Sequence, residues 1–180
     1  MYFKDVCGFN VHDTMIYEKC NFAHPEKSRY HQIFEYVLVL SRRRPKTFNP
    51  LKDKKNIWAG TEPFGVNNSR QKDGTMTERP KNIINENGMR GNVWRGKTSG
   101  NEKVCKNIEH PATMPLWLAK DHIISWSNSG DTVLDCFMGS GTTGVACKLL
   151  RRNFIGCEID KKYFELAKKR IDSTEWGLFG

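Results

Sequence analysis

No stretch of this 180-residue chain approaches the roughly 20 consecutive apolar residues that cross a bilayer as a helix. Its first residues, MYFKDVCGFN, lack the charged-then-apolar pattern of a secretory signal, so the chain reads as cytoplasmic, with no membrane partner. The six cysteines, Cys7, Cys20, Cys105, Cys136, Cys147 and Cys157, include no C-x-x-C pair and no clustered histidines. That spacing argues against a zinc ribbon and against a disulfide framework; reduced thiols are the better reading and no metal is implied. The length suits one domain with a core, or a compact domain carrying a large polar insertion, and is short for two full domains.

What is present is basic charge, unevenly placed. The formal net charge is +9, yet Ser41 to Lys106 alone holds sixteen Lys or Arg against six Asp or Glu, a local balance of +10. A polyanion-binding surface needs such a concentration, because each neutralised phosphate releases condensed counterions. Arg42, Arg43, Arg44, Lys46, Lys52, Lys54 and Lys55 are the candidate phosphate contacts. A solvated loop whose charge aids solubility is the other reading. Trp58, Phe64 and Trp94 interrupt the same stretch, and aromatics there stack on bases or pack beneath a loop.

His12 to Lys19 alternates polar and apolar residues, and Phe34 to Leu40 is an apolar run of strand length, so a long hairpin is expected after a short helix end. From Arg42 to Ile108 periodicity fades into Gly, Asn, Pro and basic residues, a loop-rich insertion with short strands at best. A helix is expected over about Pro115 to Ser127, capped by Thr113, with Leu116, Ala119, Ile123 and Trp126 on one face. Thr132 to Phe137 reads as a buried strand, followed by a glycine turn and a helix from near Thr142 to Leu150. Asn153 to Ile159 reads as a second strand, and Asp160 caps a last helix with Tyr163, Leu166, Ala167 and Arg170 on one side. This β-α-β-α order has a parallel, doubly wound character.

Gly139, Gly141 and Gly144 match G-x-G-x-x-G between strand and helix, and Glu158 falls at the end of the next strand, where a carboxylate accepts ribose hydroxyls. A nucleotide-type ligand is expected over this loop. Asp135 stands immediately before it, and its charge would repel a pyrophosphate but suit a ligand carrying an ammonium and a sulfonium. S-adenosylmethionine has that sign; NAD does not, which disfavours a dinucleotide oxidoreductase.

With those residues in place the run DTVLDCFMGSGTTGVA, and IGCEID after it, closely resembles the cofactor motif of prokaryotic and phage DNA amino-methyltransferases acting on adenine N6 or cytosine N4. HPATMPLWLAKDHI is similar to the helix that precedes this motif in the circularly permuted class, and RYHQIFEYVLVLSRRRPKTFNPL resembles the lead into its target-recognition region. The resemblance implies a Rossmann-like α/β methyltransferase fold. It places residues 1–46 on the hairpin side of the sheet, 47–108 in a target-recognition insertion and 109–180 in the cofactor half. It also implies that His110, Pro111 and Ala112 line the methionine end of the cofactor, that Asp135, Phe137, Gly139, Ser140, Gly141 and Thr142 surround its amino acid and sulfonium, and that Glu158 holds the ribose. Cys136 stands where many relatives have proline, and Ser140 and Thr142 could serve as helix caps as well.

Relatives in this class carry an Asp-Pro-Pro-Tyr type tetrapeptide that holds the target amine of a flipped base. The seven prolines of this chain are never adjacent, so no catalytic residue is assigned to it, and no cysteine follows a proline as the nucleophile of a cytosine-5 enzyme would. The resemblance implies that Met1 falls inside the family's reading frame and that two central strands are absent, which leaves the fold incomplete and strands such as FEYVLVL with open edges. Expected partners are double-stranded DNA and a separate N-terminal methyltransferase segment. Adenine N6 is the first choice of target and cytosine N4 the second; a non-catalytic remnant that binds DNA and cofactor is the rival reading.

Overall fold

A computed structural model of the chain describes residues 2–20, 27–65, 68–78, 81–98 and 113–175. The chain divides into two compact units, one comprising Met1–Asn49 with Asn92–Gly180 and the other Pro50–Gly91. The second unit falls within the expected 47–108 insertion and is narrower than it.

In the first unit a short helix, α1 (Tyr2–Asp5), leads into β1 (Asn10–Lys19), which pairs antiparallel with β2 (Phe34–Ser41) through a register shift between Val11 and Asp13. This is the expected hairpin, with β1 beginning two residues before His12. In the second unit β3 (Lys54–Lys55) pairs antiparallel with β6 (Asn87–Gly88), and β4 (Asn68–Arg70) pairs antiparallel with β5 (Met76–Glu78). The turn between β4 and β5 is set by Asp73, whose Oδ1 accepts from the Thr75 amide at 3.0 Å and its hydroxyl at 2.7 Å. The chain then returns to the first unit as β7 (Val93–Gly96), which lies parallel to β1 on the side away from β2. Its polar surroundings in sequence conceal this strand; Trp94, 6% exposed, anchors it.

The remainder is the expected alternation. Helix α2 (Leu116–Trp126) is followed by β8 (Thr132–Asp135), α3 (Thr142–Leu149), β9 (Asn153–Gly156) and α4 (Lys161–Ser173), with β8 and β9 parallel. Both strands end earlier than expected, at Asp135 and Gly156, because the residues beyond them turn into the glycine loop and the Glu158 region. Thr113 does not cap α2: Pro115 occupies the N-cap position with no side-chain hydrogen bond. Asp160 does cap α4, accepting from the Tyr163 amide at 3.1 Å.

Helix α2 joins the elements of this unit. Ala119 and Ile123 bury against Ala146 and Cys147 of α3 and Leu150 at its C-cap, with Val133 and Phe154 beneath. On its other surfaces His122 stacks on Trp94 at 4.5 Å, Trp117 meets Tyr17 edge-on, and Trp126 packs against His12 and Phe48. The loop after β2 is fastened to its C-terminal end, since Asn49 Nδ2 donates to the carbonyls of Ile124 and Ser127 at 3.0 and 3.1 Å. Buried Arg152 satisfies its guanidinium on Ser127 Oγ, the Ser127 carbonyl and the Leu150 carbonyl, locking the entry to β8. Burial raises the Cys147 thiol to about 11, so it behaves as a small core residue and not a nucleophile.

Among the described residues β2-β1-β7 and β8-β9 are separate sheets. No described strand pairs with the outer edge of β2 or with the second edge of β8. A cleft of about 440 Å³ is lined by Val39, Leu40 and Ser41 of β2 together with Asp131 and Thr132 at the start of β8. No helix among the described residues is long and apolar enough to cross a membrane.

Candidate cofactor pocket and basic surfaces

The glycine loop is shaped by three local demands. The ends of the parallel strands are stitched together as the Cys157 amide donates to the Asp135 carbonyl at 2.9 Å and the Met138 amide to the Cys157 carbonyl at 3.0 Å. The chain then closes tightly, with the Gly141 amide donating to the Met138 carbonyl at 2.8 Å. Gly141 has φ of +80°, a conformation that costs an L side chain energy, and a Cβ there would lie 2.8 Å from Ala167 Cβ of α4. At Gly144 the demand is proximity alone, since an added Cβ would come within 2.7 Å of Phe154 on β9. Arg170 of α4 completes the loop by donating to the Ser140 carbonyl.

The Asp135 side chain folds back to accept from the Phe137 amide at 3.0 Å, fixing its carboxylate at the loop entrance. Glu158 accepts from two backbone amides, Asp160 at 3.0 Å and Gly139 at 2.9 Å. These bonds, that of Asp160 foremost, hold its carboxyl below the usual range, so it is ionised at neutral pH with lone pairs left for further donors.

A pocket of about 220 Å³ is lined by Thr113, Met114, Asp135, Phe137, Met138, Gly139, Ser140, Thr142, Thr143 and Glu158. Six of the expected cofactor contacts therefore converge: Asp135, Phe137, Gly139, Ser140, Thr142 and Glu158. Gly141 is the buried turn residue beneath them. His110, Pro111 and Ala112 lie outside the described residues. Sequence reasoning missed Thr113, Met114, Met138 and Thr143 as wall residues. Their adjacency to the His-Pro-Ala turn and to the loop glycines was the available signal, and the residue type of Thr113 suits a cap as well as a pocket wall.

Two properties of this pocket bear on its ligand. Its charged lining residues are Asp135 and Glu158, with no Lys or Arg among those described. Thr142 is 4% exposed, and its hydroxyl has no hydrogen-bond partner among the described residues. A buried hydroxyl left so is costly unless something else bonds it. It stands on the first turn of α3, where backbone amides also lack intrahelical partners.

The basic candidates do not form one element. Arg42, Arg43, Arg44 and Lys46 are exposed and follow β2 in the first unit, whereas Lys52, Lys54 and Lys55 are exposed in the second. The second unit, residues 50–91, carries eight Lys or Arg and five Asp or Glu, a modest +3 of the +10. Arg90 is held by Asp53, with Nε 3.1 and 3.0 Å from its two carboxylate oxygens, and Arg95 by Glu18 at 2.9 Å.

A family model described as DNA methylase, of the N6/N4 type, matches residues 1–169. The chain belongs to this family. It is 45% identical over 174 residues to the orphan methyltransferase M.BamHII of Bacillus amyloliquefaciens, which covers 95% of this chain and 65% of that protein. It is 33% identical over 147 residues to the Type II methyltransferase M1.MboII of Moraxella bovis, covering 78% of this chain and 55% of the relative. Among solved structures the M1.HpyAVI–SAM complex superposes with a TM-score of 0.63 at 33% identity, covering 94% of this chain and 66% of the other. The cytosine-N4-specific PvuII DNA methyltransferase gives the same TM-score at 17% identity, a likeness of fold alone. The expected Rossmann-like methyltransferase fold is thereby established, and the chain spans less than two thirds of the length of these relatives.

Proposed function

We propose that this member of the DNA methylase family binds S-adenosylmethionine at the glycine loop and DNA through its basic residues, as the cofactor and target-recognition portion of an amino-methyltransferase acting on adenine N6, or alternatively cytosine N4. The observation that carries this reading is the pairing of two fixed carboxylates, Asp135 and Glu158, with an unsatisfied buried hydroxyl on Thr142 around one loop. The carboxylates match a ligand with ammonium, sulfonium and ribose hydroxyls; a pyrophosphate would meet their repulsion. The solved M1.HpyAVI complex with SAM is a relative with this fold.

When bound, the cofactor supplies a methyl group already activated on sulfonium, so the protein's work is placement and electrostatics. Asp135 holds the positive end, Glu158 orients the ribose, and Ser140 and Thr142 offer hydroxyls beside the first amides of α3. His110, Pro111 and Ala112 belong to this proposal at the methionine end. The base-holding tetrapeptide is supplied by a further polypeptide segment, the expected separate partner, which also covers the open edges of β2 and β8. Apolar residues on those strands support it: Tyr36 is 67%, Leu38 52% and Leu134 59% exposed.

Calorimetry tests the cofactor reading. S-adenosylmethionine is expected to bind, NAD not, and Asp135→Asn to weaken S-adenosylmethionine by roughly tenfold, one charge-assisted hydrogen bond being worth about 1.5–3 kcal/mol. Binding of NAD, or affinity for S-adenosylmethionine unchanged in Asp135→Asn, would overturn the assignment.

A further inference from the structure

Three of the aromatics in the basic stretch, Trp58, Phe64 and Trp94, part company in the structure. Trp94 is 6% exposed and stacked on His122, a packing residue. Trp58 and Phe64 are 59% and 83% exposed, and Ile57 beside them is 92% exposed. The two rings meet edge to face at 5.7 Å and 84°, so they present one apolar wedge and not two stray side chains.

That wedge is mounted on a hydrogen-bonded frame within the second unit. The Asn56 amide donates to the Glu86 carbonyl at 2.9 Å, and its side-chain Nδ2 to the Asn85 carbonyl at 2.7 Å. On the far side of the turn the Gly60 amide donates to the Ile84 carbonyl, and the Ile84 amide to the Thr61 carbonyl, both at 2.9 Å. The Trp58 carbonyl accepts from the Thr61 amide at 3.2 Å and from its hydroxyl at 2.8 Å. The backbone carrying Trp58 is thus fixed from both sides while its ring is left in water. Lys52, Lys54 and Lys55, all exposed, lie within six residues of Trp58 in the same unit.

Exposing three large apolar side chains on a rigid turn loses the gain of burying them, unless a partner covers them. Cations a few residues away select a polyanion, and aromatic faces suit bases. We propose that Ile57, Trp58 and Phe64 form a wedge that contacts the bases of double-stranded DNA, with Trp58 and Phe64 supplying a salt-independent part of the affinity while Lys52, Lys54 and Lys55 supply a salt-dependent part. The assignment rests on the DNA-binding reading above and adds the residues that touch bases.

The test measures binding of the full chain to a mixed-sequence duplex by anisotropy across a salt series. Trp58→Ala and Phe64→Ala are expected to weaken binding about tenfold each, toward the low end of the range for losing a base–aromatic contact because a duplex resists unstacking, with an unchanged slope of log K against log salt. Trp58→Phe should retain most of the affinity while losing the DNA-induced quenching of tryptophan emission expected of wild type. Lys52→Gln, Lys54→Gln and Lys55→Gln together should lower the slope by up to about 2.7. If the alanine variants, folded by circular dichroism, bind like wild type while the lysine variant lowers the slope, DNA binding stands and the wedge is wrong. If wild type shows no DNA binding at low salt, the underlying reading falls and the wedge with it. A change of oligomeric state in Trp58→Ala, without a change in DNA affinity, would assign the wedge to protein contact and overturn the proposal.

Discussion

Replacing Thr142 with valine should move apo stability and cofactor affinity in opposite directions. The buried hydroxyl has no partner among the described residues, and valine keeps the branched shape of threonine. An unsatisfied buried hydroxyl costs roughly 1–3 kcal/mol, and a methyl in its place carries no such cost. At the low end of that range, Thr142→Val stabilises the ligand-free protein by about 1 kcal/mol, or roughly 2–4 °C in Tm for a chain of this size. If the hydroxyl bonds a polar atom of S-adenosylmethionine, its loss costs about 1.4 kcal/mol, which is a tenfold rise in Kd. The two effects cross in a thermal-shift titration. At a concentration about a hundred times the wild-type Kd, wild type gains about 2.7 kcal/mol from binding, while the variant, at about ten times its own Kd, gains about 1.4 kcal/mol. Its apo advantage is then cancelled and slightly reversed. A variant less stable than wild type without ligand would show that the hydroxyl already has a partner. An unchanged Kd would show that it does not face the ligand.

Neutralising Arg42, Arg43 and Arg44 together to Gln should flatten the salt dependence of DNA binding by up to about 2.7 in slope, at about 0.9 per phosphate contact; an unchanged slope returns the triplet to solvated surface. Burial against Trp94 holds His122 below its ordinary value of 6.5, so the unfolded chain takes up the proton first and stability falls as pH drops through about 6.5 toward the lower folded value. Urea midpoints of wild type should fall between pH 7 and 5 more steeply than those of His122→Gln; parallel curves would remove His122 as the cause. Radiolabelled methyl transfer to DNA is expected to be undetectable with this chain alone and to appear on co-expression with a relative's segment bearing the tetrapeptide. Turnover by the purified chain that is abolished by Asp135→Ala would relocate the catalytic group into this sequence.

The β-α-β-α order from Leu116 to Ser173 was legible because its signals are local. A glycine at φ +80°, an aspartate capping α4 and a strand–loop–helix change of period each leave a mark within a few residues. What escaped was set by distant partners. The polar setting of β7 hides a strand that exists because β1 offers it an edge and α2 offers His122 to Trp94. Thr113 has the right residue type for a cap, but the helix begins after Pro115 and leaves Thr113 in the pocket wall. Charge counting was misleading in a similar way. A +10 stretch is continuous in sequence, yet the fold divides it after Asn49 and before Asn92, and spends Arg90 and Arg95 on Asp53 and Glu18.

FEYVLVL has the composition of a strand covered on both faces, and Thr132 to Phe137 reads the same way. In the fold, however, Tyr36, Leu38 and Leu134 are more than half exposed, as is Ile155 on β9. Strands are ordinarily composed for the surroundings in which they are stable, so a buried-type strand in water points to a neighbour that covers it. Among the described residues, two unpaired edges offer the proposed segment a place. One lies outside β2 and the other beside β8, and the cleft between Val39–Ser41 and Asp131–Thr132 opens between them. A polypeptide inserted there would pair with both sheets at once. A strand added parallel to β8 would end beside Asp135 and the glycine loop, because β8 leads directly into that loop. If the proposed segment fills that place, closing the sheet and completing the proposed site are one event, and loss of either in the co-expression experiment should bring loss of the other.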